Sequence, residues 1–181
     1  MKQPVLYFDH YMLRDIELSD AKDMFEYGSD MEVVKYLSWG PYLDLTEAVG
    51  SIRKVFQKRP ERGLPVGYAI VDLQNNKMIG TIDFHTKYAD GSVEVGYCLN
   101  RHYWNKGVMT KALRKILEVG FWYFGYEKII IGHSNENIGS KRVIEKNNFI
   151  FDRIDHEKYY NRFTGQKEPS SWYYLTKEQF K

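Results

Sequence analysis

Apolar residues recur at helical spacing through the first third of the chain. Residues 11–16 alternate like a short strand, after which Ser19 is positioned to cap a first helix. Apolar positions within 33–37 indicate a second short helical segment, and Thr46 is a plausible cap for a third. This region therefore predicts one strand followed by several short amphipathic helices.

From Gly67 onward the apolar period changes from helical to twofold. Residues 68–73, 78–84 and 92–99 read as three strands joined by the turn segments 74–77 and 89–91. In the third strand one face carries Val93, Val95, Tyr97 and Leu99, and the other carries Glu94, Gly96, Cys98 and Asn100. Consecutive strands joined by short turns predict an antiparallel arrangement.

The remaining pattern alternates helices with strands. Residues 107–124 form the strongest amphipathic helix, residues 128–132 a strand, and residues 138–146 a further helix. Residues 149–160 and 171–175 are expected to be a last pair of strands with a long polar loop between them. The order predicts an α/β (α+β) fold, with a mixed sheet that carries helices on its faces.

Composition limits the class of protein. No linker or repeat divides residues 1–181, which we interpret as a single domain. The 26 basic and 24 acidic residues leave a net charge of +2, which argues against nucleic acid as a partner. Cys98 is the single cysteine, and no segment reads as a signal peptide or membrane span. We expect a cytoplasmic protein without a membrane partner.

A first candidate site lies where the third strand leads into the strongest helix. The sequence there is Tyr103-Trp104-Asn105-Lys106-Gly107-Val108-Met109-Thr110. A helix N-terminus exposes free N–H groups, and a glycine lets the backbone approach an anion closely. Such a turn can bind a phosphate, although the same residues are also typical of a plain loop with a glycine at the start of a helix.

A second candidate site begins the later helix. Asn137 and Ser140 are three residues apart at its start, so both can face one cleft. Asn137 is also a good helix cap by itself, which is the alternative interpretation.

Taken together, these segments resemble the GNAT acetyltransferases, in particular the branch of the ribosomal-protein alanine N-acetyltransferases. The family's Gln/Arg-x-x-Gly-x-Gly/Ala motif aligns with residues 104–109, where Gly107 matches and Trp104 and Met109 depart. The downstream Asn-x-x-Ser and Glu-Lys-x-Gly-Phe patterns align with residues 137–149, with Asn148 in place of glycine. The segments 36–41 and 94–97 are also similar to that branch.

The resemblance implies a largely antiparallel sheet that splays at a site for acetyl-CoA. It implies a primary amine as acceptor, either a small amine or a protein or peptide N-terminus. Glu94 is the expected base and Ser140 the expected donor to the leaving thiolate. The thioester carbonyl is expected at a backbone N–H near Leu99, where the strand bulges. The residues expected to bind acetyl-CoA are Leu99, Trp104, Asn105, Lys106, Gly107, Val108, Met109, Thr110, Asn137 and Ser140.

Other polar residues are weaker candidates. Asp83 and His85 can line an acceptor pocket, but a structural role is the favoured interpretation, and His133 is a weaker base candidate. The position of Cys98 within a strand favours a core residue over a covalent nucleophile. The five histidines do not show the spacing of metal ligands, so we expect no metal site. The aromatic residues Trp39, Tyr42 and Tyr97 are candidates to shape the acceptor site.

Two functional alternatives stay open at this stage. The departures at Trp104 and Met109 leave room for a non-catalytic sensor that binds acyl-CoA. An α/β module that binds nucleic acid is disfavoured by the near-neutral charge. The acceptor's identity and a homodimeric state are not determined by the sequence.

Overall fold

The computed structural model describes residues 2–181 and contains a single eight-stranded sheet. Its strands are β1 (Leu6–Phe8), β2 (Tyr11–Asp15), β3 (Tyr68–Asp72), β4 (Lys77–Lys87), β5 (Val93–Leu99), β6 (Lys128–Ser134), β7 (Ile150–Asn161) and β8 (Gln166–Thr176). They lie in the order β1-β2-β3-β4-β5-β6-β8-β7. The pairings within this part of the chain are antiparallel except between β5 and β6, which run parallel. The predicted mixed, largely antiparallel sheet is confirmed.

Helices cover both faces of the sheet. They are α1 (Ala21–Gly28), α2 (Met31–Val34), α3 (Leu45–Ser51), α4 (Val108–Glu118) and α5 (Ile138–Lys146). Side chains from α4 and α5 bury against one face, and side chains from α1, α2 and α3 bury against the other. Strand β3 shows how one sequence serves both layers: Tyr68 and Ile70 pack on the α4 side, and Ala69 and Val71 pack on the α1 side.

Two predicted helix caps are wrong. Asp44 caps α3, because its carboxylate accepts hydrogen bonds from the backbone N–H groups of Thr46 and Glu47. Thr46 already lies inside the helix. Ser19 lies within a short 3₁₀ turn, Leu18–Asp20, and α1 begins after that turn. Asp20 occupies the N-cap position of α1, but its carboxylate accepts from the N–H of Glu17 and makes no cap hydrogen bond to that helix.

The predicted lengths of two elements also need correction. The strongest helix stays α-helical only to Glu118 and continues as a wider π-helical turn, Val119–Tyr123. The long polar loop expected between the last strands is only residues 162–165. Asn161 closes that hairpin, since its side chain accepts from the N–H groups of Phe163 and Thr164. Strand β7 is exposed along most of its length, so no alternation marks it in the sequence.

Candidate active site

The sheet opens between β5 and β6. The two strands pair only at Val93 with Ile129 and at Glu94 with Ile130. Both strands continue beyond these pairs without meeting again. The predicted splay is therefore present, and it leaves one edge of β5 facing an opening.

The end of β5 turns a backbone N–H toward this opening. Asn100 donates its own N–H to the carbonyl of Ile79 on β4, at 2.8 Å. Successive residues of a strand direct their amide groups to opposite edges, so the N–H of Leu99 points away from β4. The carbonyl of Leu99 accepts from the indole N–H of Trp104 at 2.8 Å, which agrees with that direction.

No bulge lies at Leu99, so the bulge expected there is misplaced. The register of β4 against β5 instead shifts between Phe84 and Thr86, which makes His85 the extra residue. A bulge bends its strand and re-aims the side chain it carries. The imidazole of His85 leans over Gly96, where an added Cβ would lie 2.9 Å from the ring. Gly96 therefore leaves room for a histidine that the bulge turns toward β5.

Two cavities open on either side of this splay. The helix-start cavity, about 510 Å³, lies at the N-termini of α4 and α5. The aromatic cavity, about 480 Å³, lies between the segment 36–42, the end of α3 with the turn after it, and the strands β4 to β8. Both cavities share a short set of lining residues, namely Tyr36, Leu37, Tyr97, Cys98, Asn137 and Ser140.

The helix-start cavity gathers nine of the ten residues predicted to bind acetyl-CoA. They are Leu99, Trp104, Asn105, Gly107, Val108, Met109, Thr110, Asn137 and Ser140. Lys106 is the exception, and its ammonium group lies 5.3 Å from the ring centre of Tyr103, which does line the cavity. The sequence prediction therefore located this cavity through two segments that are far apart in the chain.

The turn before α4 has the shape of an anion cradle. Asn105 and Gly107 both adopt left-handed backbone conformations, with φ of 59° and 75°. Gly107 is the N-cap, and an added Cβ there would meet only open space. The first turn of α4 contains no acidic residue, so its free N–H groups keep their partial positive charge.

Charged side chains at the rim of this cavity were missed in the sequence. Lys35, Arg142 and Lys146 line it, together with the acidic Glu32 and Glu136. The three cations come from α5 and from the chain just after α2, which no phosphate-binding motif covers. They favour an anionic occupant over a neutral one.

The start of α5 connects the two cavities. The side chain of Asn137 accepts from the backbone N–H of Ser140 at 3.1 Å, which confirms the capping interpretation. The hydroxyl groups of Ser140 and Tyr97 lie 2.8 Å apart. Burial raises the pKa of Tyr97, so its phenol stays protonated at neutral pH. Two hydroxyl groups therefore meet where the cavities join, and only Ser140 was predicted to lie there as a proton donor.

Glu94 lies in the aromatic cavity among three polar partners. Its side chain is 14% exposed, and it accepts a short hydrogen bond from the hydroxyl of Tyr88. The Nζ of Lys158 is 3.5 Å from one carboxylate oxygen, and the Nε2 of His85 is 3.6 Å from the other. Glu94 thus lines the cavity but is already engaged by Tyr88, Lys158 and His85.

A buried ion pair forms another wall of the aromatic cavity. Arg59 Nη1 is 2.6 Å from Asp83 Oδ2, and both side chains are under 10% exposed. The guanidinium also lies 4.4 Å from the ring centre of Phe56. Burial raises the pKa of Asp83, and the charge of Arg59 opposes that effect. The structural role favoured for Asp83 fits this geometry, and Arg59 is the partner that the sequence did not reveal.

His133 and Cys98 are largely buried in the cavity walls. His133 Nδ1 lies 2.7 Å from the carbonyl of Ser134, and burial lowers the pKa of this imidazole. Burial likewise raises the pKa of the Cys98 thiol, which suppresses the reactive thiolate. Within residues 2–181 no cluster of three or more His, Cys, Asp or Glu side chains is arranged to hold a metal ion. None of the helices in that span has the length and apolar character needed to cross a membrane.

Comparison with known proteins identifies the family. The acetyltransferase (GNAT) domain model matches residues 10–150. N-acetyltransferase p20 of Bacillus licheniformis, itself uncharacterized, is 30% identical over 156 residues, or 84% of this chain and 87% of that protein. The chain therefore belongs to the GNAT acetyltransferase family, and the predicted enzyme class, an N-acetyltransferase, is confirmed.

Solved structures agree on the fold. Ribosomal-protein-S5-alanine acetyltransferase from Vibrio fischeri superposes with a TM-score of 0.83 at 21% identity, covering 99% of this chain and 100% of that one. The ribosomal L7/L12 α-N-protein acetyltransferase RimL, solved in complex with coenzyme A, gives a TM-score of 0.84 at 17% identity, with 96% and 98% coverage. The predicted resemblance to this branch is confirmed at the level of the fold.

Proposed function

We propose that the protein transfers an acetyl group from acetyl-CoA to a primary amine by direct attack in a ternary complex. The observation that carries this proposal is the junction of the two cavities at Tyr97 and Ser140, beside the open edge of β5. Two separate cavities that meet at one point suit two substrates that must be brought together. The acceptor is a small amine or a protein or peptide N-terminus.

The helix-start cavity is assigned to acetyl-CoA. The N–H groups that begin α4 at Gly107 are available for the pyrophosphate, and the basic residues at the rim add favourable charge. The N–H of Leu99 faces the opening, where it can bind the thioester carbonyl oxygen. RimL, which has this fold, was solved with coenzyme A, and that supports the assignment.

The aromatic cavity is assigned to the acceptor. Glu94 accepts a proton from the amine, directly or through water, because only the neutral amine attacks the carbonyl carbon. The hydroxyl of Ser140 donates to the departing thiolate, and the adjacent Tyr97 phenol supports it. The fold shared with acetyltransferases of ribosomal proteins favours an N-terminus as acceptor, and the cavity size is compatible with a small amine as well.

Thermal melts followed by a transfer assay test this proposal. Acetyl-CoA at 100 times its Kd should stabilise the fold by about 2.7 kcal/mol. For a chain of this length that corresponds to a rise in Tm of roughly 5–10 °C. A panel of alkylamines and N-terminal peptides should then reveal acetyl transfer. An unchanged Tm at millimolar acetyl-CoA would contradict the proposal, and binding without transfer to any amine would leave only a binding protein.

A further inference from the structure

One lysine of the protein lies inside the cavity assigned to the acceptor amine. Lys158 Nζ is 3.6 Å from the ring centre of Trp172 and 2.6 Å from the hydroxyl of Tyr88. It is also 3.5 Å from the carboxylate of Glu94. An ammonium group is thus held by an aromatic face, a hydroxyl oxygen and a carboxylate.

The hairpin of β7 and β8 is built to place Lys158 there. Their register shifts between Asp155, which pairs with Ser170, and Tyr159, which pairs with Glu168. Strand β7 therefore has two more residues than β8 across this stretch. Asp155 fixes the extra residues in a turn, since its side chain accepts from the N–H groups of Glu157 and Lys158. The irregularity turns the Lys158 side chain toward the cavity rather than along the strand.

The surroundings of this lysine suit any protonated amine. The face of a tryptophan attracts an ammonium group through the ring quadrupole, and more strongly than other aromatic rings do. A carboxylate and a phenolic oxygen accept charge-assisted hydrogen bonds from the same nitrogen. Trp172 and Glu94 both line the cavity, and each has a partner other than Lys158, since the indole N–H donates to the Ser170 hydroxyl and Glu94 accepts from Tyr88.

We propose that Trp172, Glu94 and Tyr88 form an ammonium subsite, which Lys158 fills in the free protein and the protonated acceptor amine fills before transfer. The inference rests on the proposed function and narrows it to acceptors that are cationic when they bind. Once Lys158 has left, Glu94 takes one proton from the bound ammonium group, and the neutral amine is released to attack the thioester.

Lys158 is held weakly enough to act as an exchangeable occupant. Its side chain is 39% exposed, and partly exposed ion pairs contribute little to stability. The buried pair of Arg59 and Asp83 in the same cavity is the contrast, because both of its side chains are almost fully enclosed. An internal occupant weakens ligand binding, because the apparent Kd equals the intrinsic Kd divided by the fraction of molecules in which the subsite is free.

Steady-state kinetics with two kinds of acceptor test the subsite. An alkylamine is protonated at pH 7 and an aromatic amine is neutral, so only the alkylamine competes with Lys158. We expect Lys158→Ala to lower the KM for the alkylamine about three- to tenfold, without lowering kcat, and to leave the KM for the aromatic amine unchanged. Lys158→Arg keeps a cation that also binds tryptophan faces, so it should retain the wild-type KM. In the Lys158→Ala background, Trp172→Phe should raise the alkylamine KM, because the ring there binds only the amine.

Lys167→Ala is the matched control, because Lys167 is an exposed lysine of the same hairpin that pairs with Glu157 outside the cavity. Lys167→Ala should keep the wild-type KM and kcat for both acceptors. A higher alkylamine KM or a lower kcat in Lys158→Ala would overturn the proposal, since Lys158 would then support catalysis. Equal changes in KM for the alkylamine and the aromatic amine would also overturn it, because only the alkylamine should compete with Lys158.

Calorimetry without acetyl-CoA separates this inference from the proposed function. Tighter alkylamine binding to Lys158→Ala than to the wild type would support the subsite even if no acceptor were acetylated. Equal affinities would reject it even if transfer were observed.

Discussion

The two cavities are built by different means. The helix-start cavity depends on backbone: a left-handed glycine, the free N–H groups of α4, and the open edge of β5. The aromatic cavity depends on side chains from β4, β5, β7, β8 and the segment around Arg59. The difference implies that the proposed acetyl-CoA site tolerates changed side chains, such as Trp104 and Met109, whereas the proposed acceptor preference depends on the side chains of the aromatic cavity.

The largest expected effect comes from placing a charge in the backbone-built cavity. Gly107→Asp sets a carboxylate beside the proposed pyrophosphate position, and the repulsion of like charges should weaken acetyl-CoA binding by about 100-fold or more. Isothermal titration calorimetry measures the Kd directly. Gly91→Asp is the control, since Gly91 has a similar φ of 82°, equally open space, and no place in either cavity. An unchanged Kd in Gly107→Asp would mean that the phosphates bind elsewhere.

Removing the proposed base in the aromatic cavity should slow transfer without weakening acetyl-CoA binding in the helix-start cavity. Glu94→Gln keeps the shape of the side chain and an acceptor for Tyr88, but it cannot take a proton. We expect kcat at pH 7 to fall by a factor of about 10² to 10⁴, with the Kd of acetyl-CoA unchanged. The difference in kcat between Glu94→Gln and the wild type should shrink as pH rises, because more of the free amine is then already neutral. A wild-type kcat at pH 7 would assign Glu94 a structural role.

A smaller effect is expected at the junction of the cavities. Ser140→Ala removes one of two adjacent hydroxyl groups, and the Tyr97 phenol remains as a second donor. We expect kcat to fall about tenfold, below the usual range for loss of an acid. The Tm should be nearly unchanged, because Asn137 still accepts the backbone N–H at position 140. If KM for acetyl-CoA rises while kcat holds, Ser140 contacts only the cofactor.

The smallest effect is expected at Cys98. The thiol is 6% exposed, and burial raises its pKa, so it is poorly suited to be an acetyl carrier. Cys98→Ala should retain most activity and lose about 1 kcal/mol of stability, as is usual for a small change in a core. Intact-mass spectrometry after incubation with acetyl-CoA alone should find no acetyl group on this residue.

The fold and the helix-start cavity could be predicted because their signals are local. Gly107 and the stripe of α4 are contiguous in sequence, and Asn137 and Ser140 share one helical turn. Helix periodicity and cap chemistry act over a few residues, so they can be read along the chain. The wrong cap prediction at Thr46 shows that such local signals place a helix start to within about two residues, since the observed cap is Asp44.

The aromatic cavity could be predicted only in part because its contacts are distant in sequence. The family resemblance implied a role for Glu94 on the strand before the phosphate turn, but Lys158 approaches it from 64 residues away. The bulge that re-aims His85 and the irregular register that places Lys158 leave no mark in hydrophobic alternation. Arg59 reads as one of several surface cations until the fold encloses it beside Asp83.

Initial rates measured with both substrates varied test the central claim, that the two cavities serve one ternary complex. If acetyl-CoA and the amine are held together, reciprocal plots at several fixed amine concentrations should give lines that intersect. The Cys98→Ala variant should give the same pattern, since the thiol carries no acetyl group. Parallel lines in the wild type, with an acetyl group on Cys98 that is released by amine, would contradict the account.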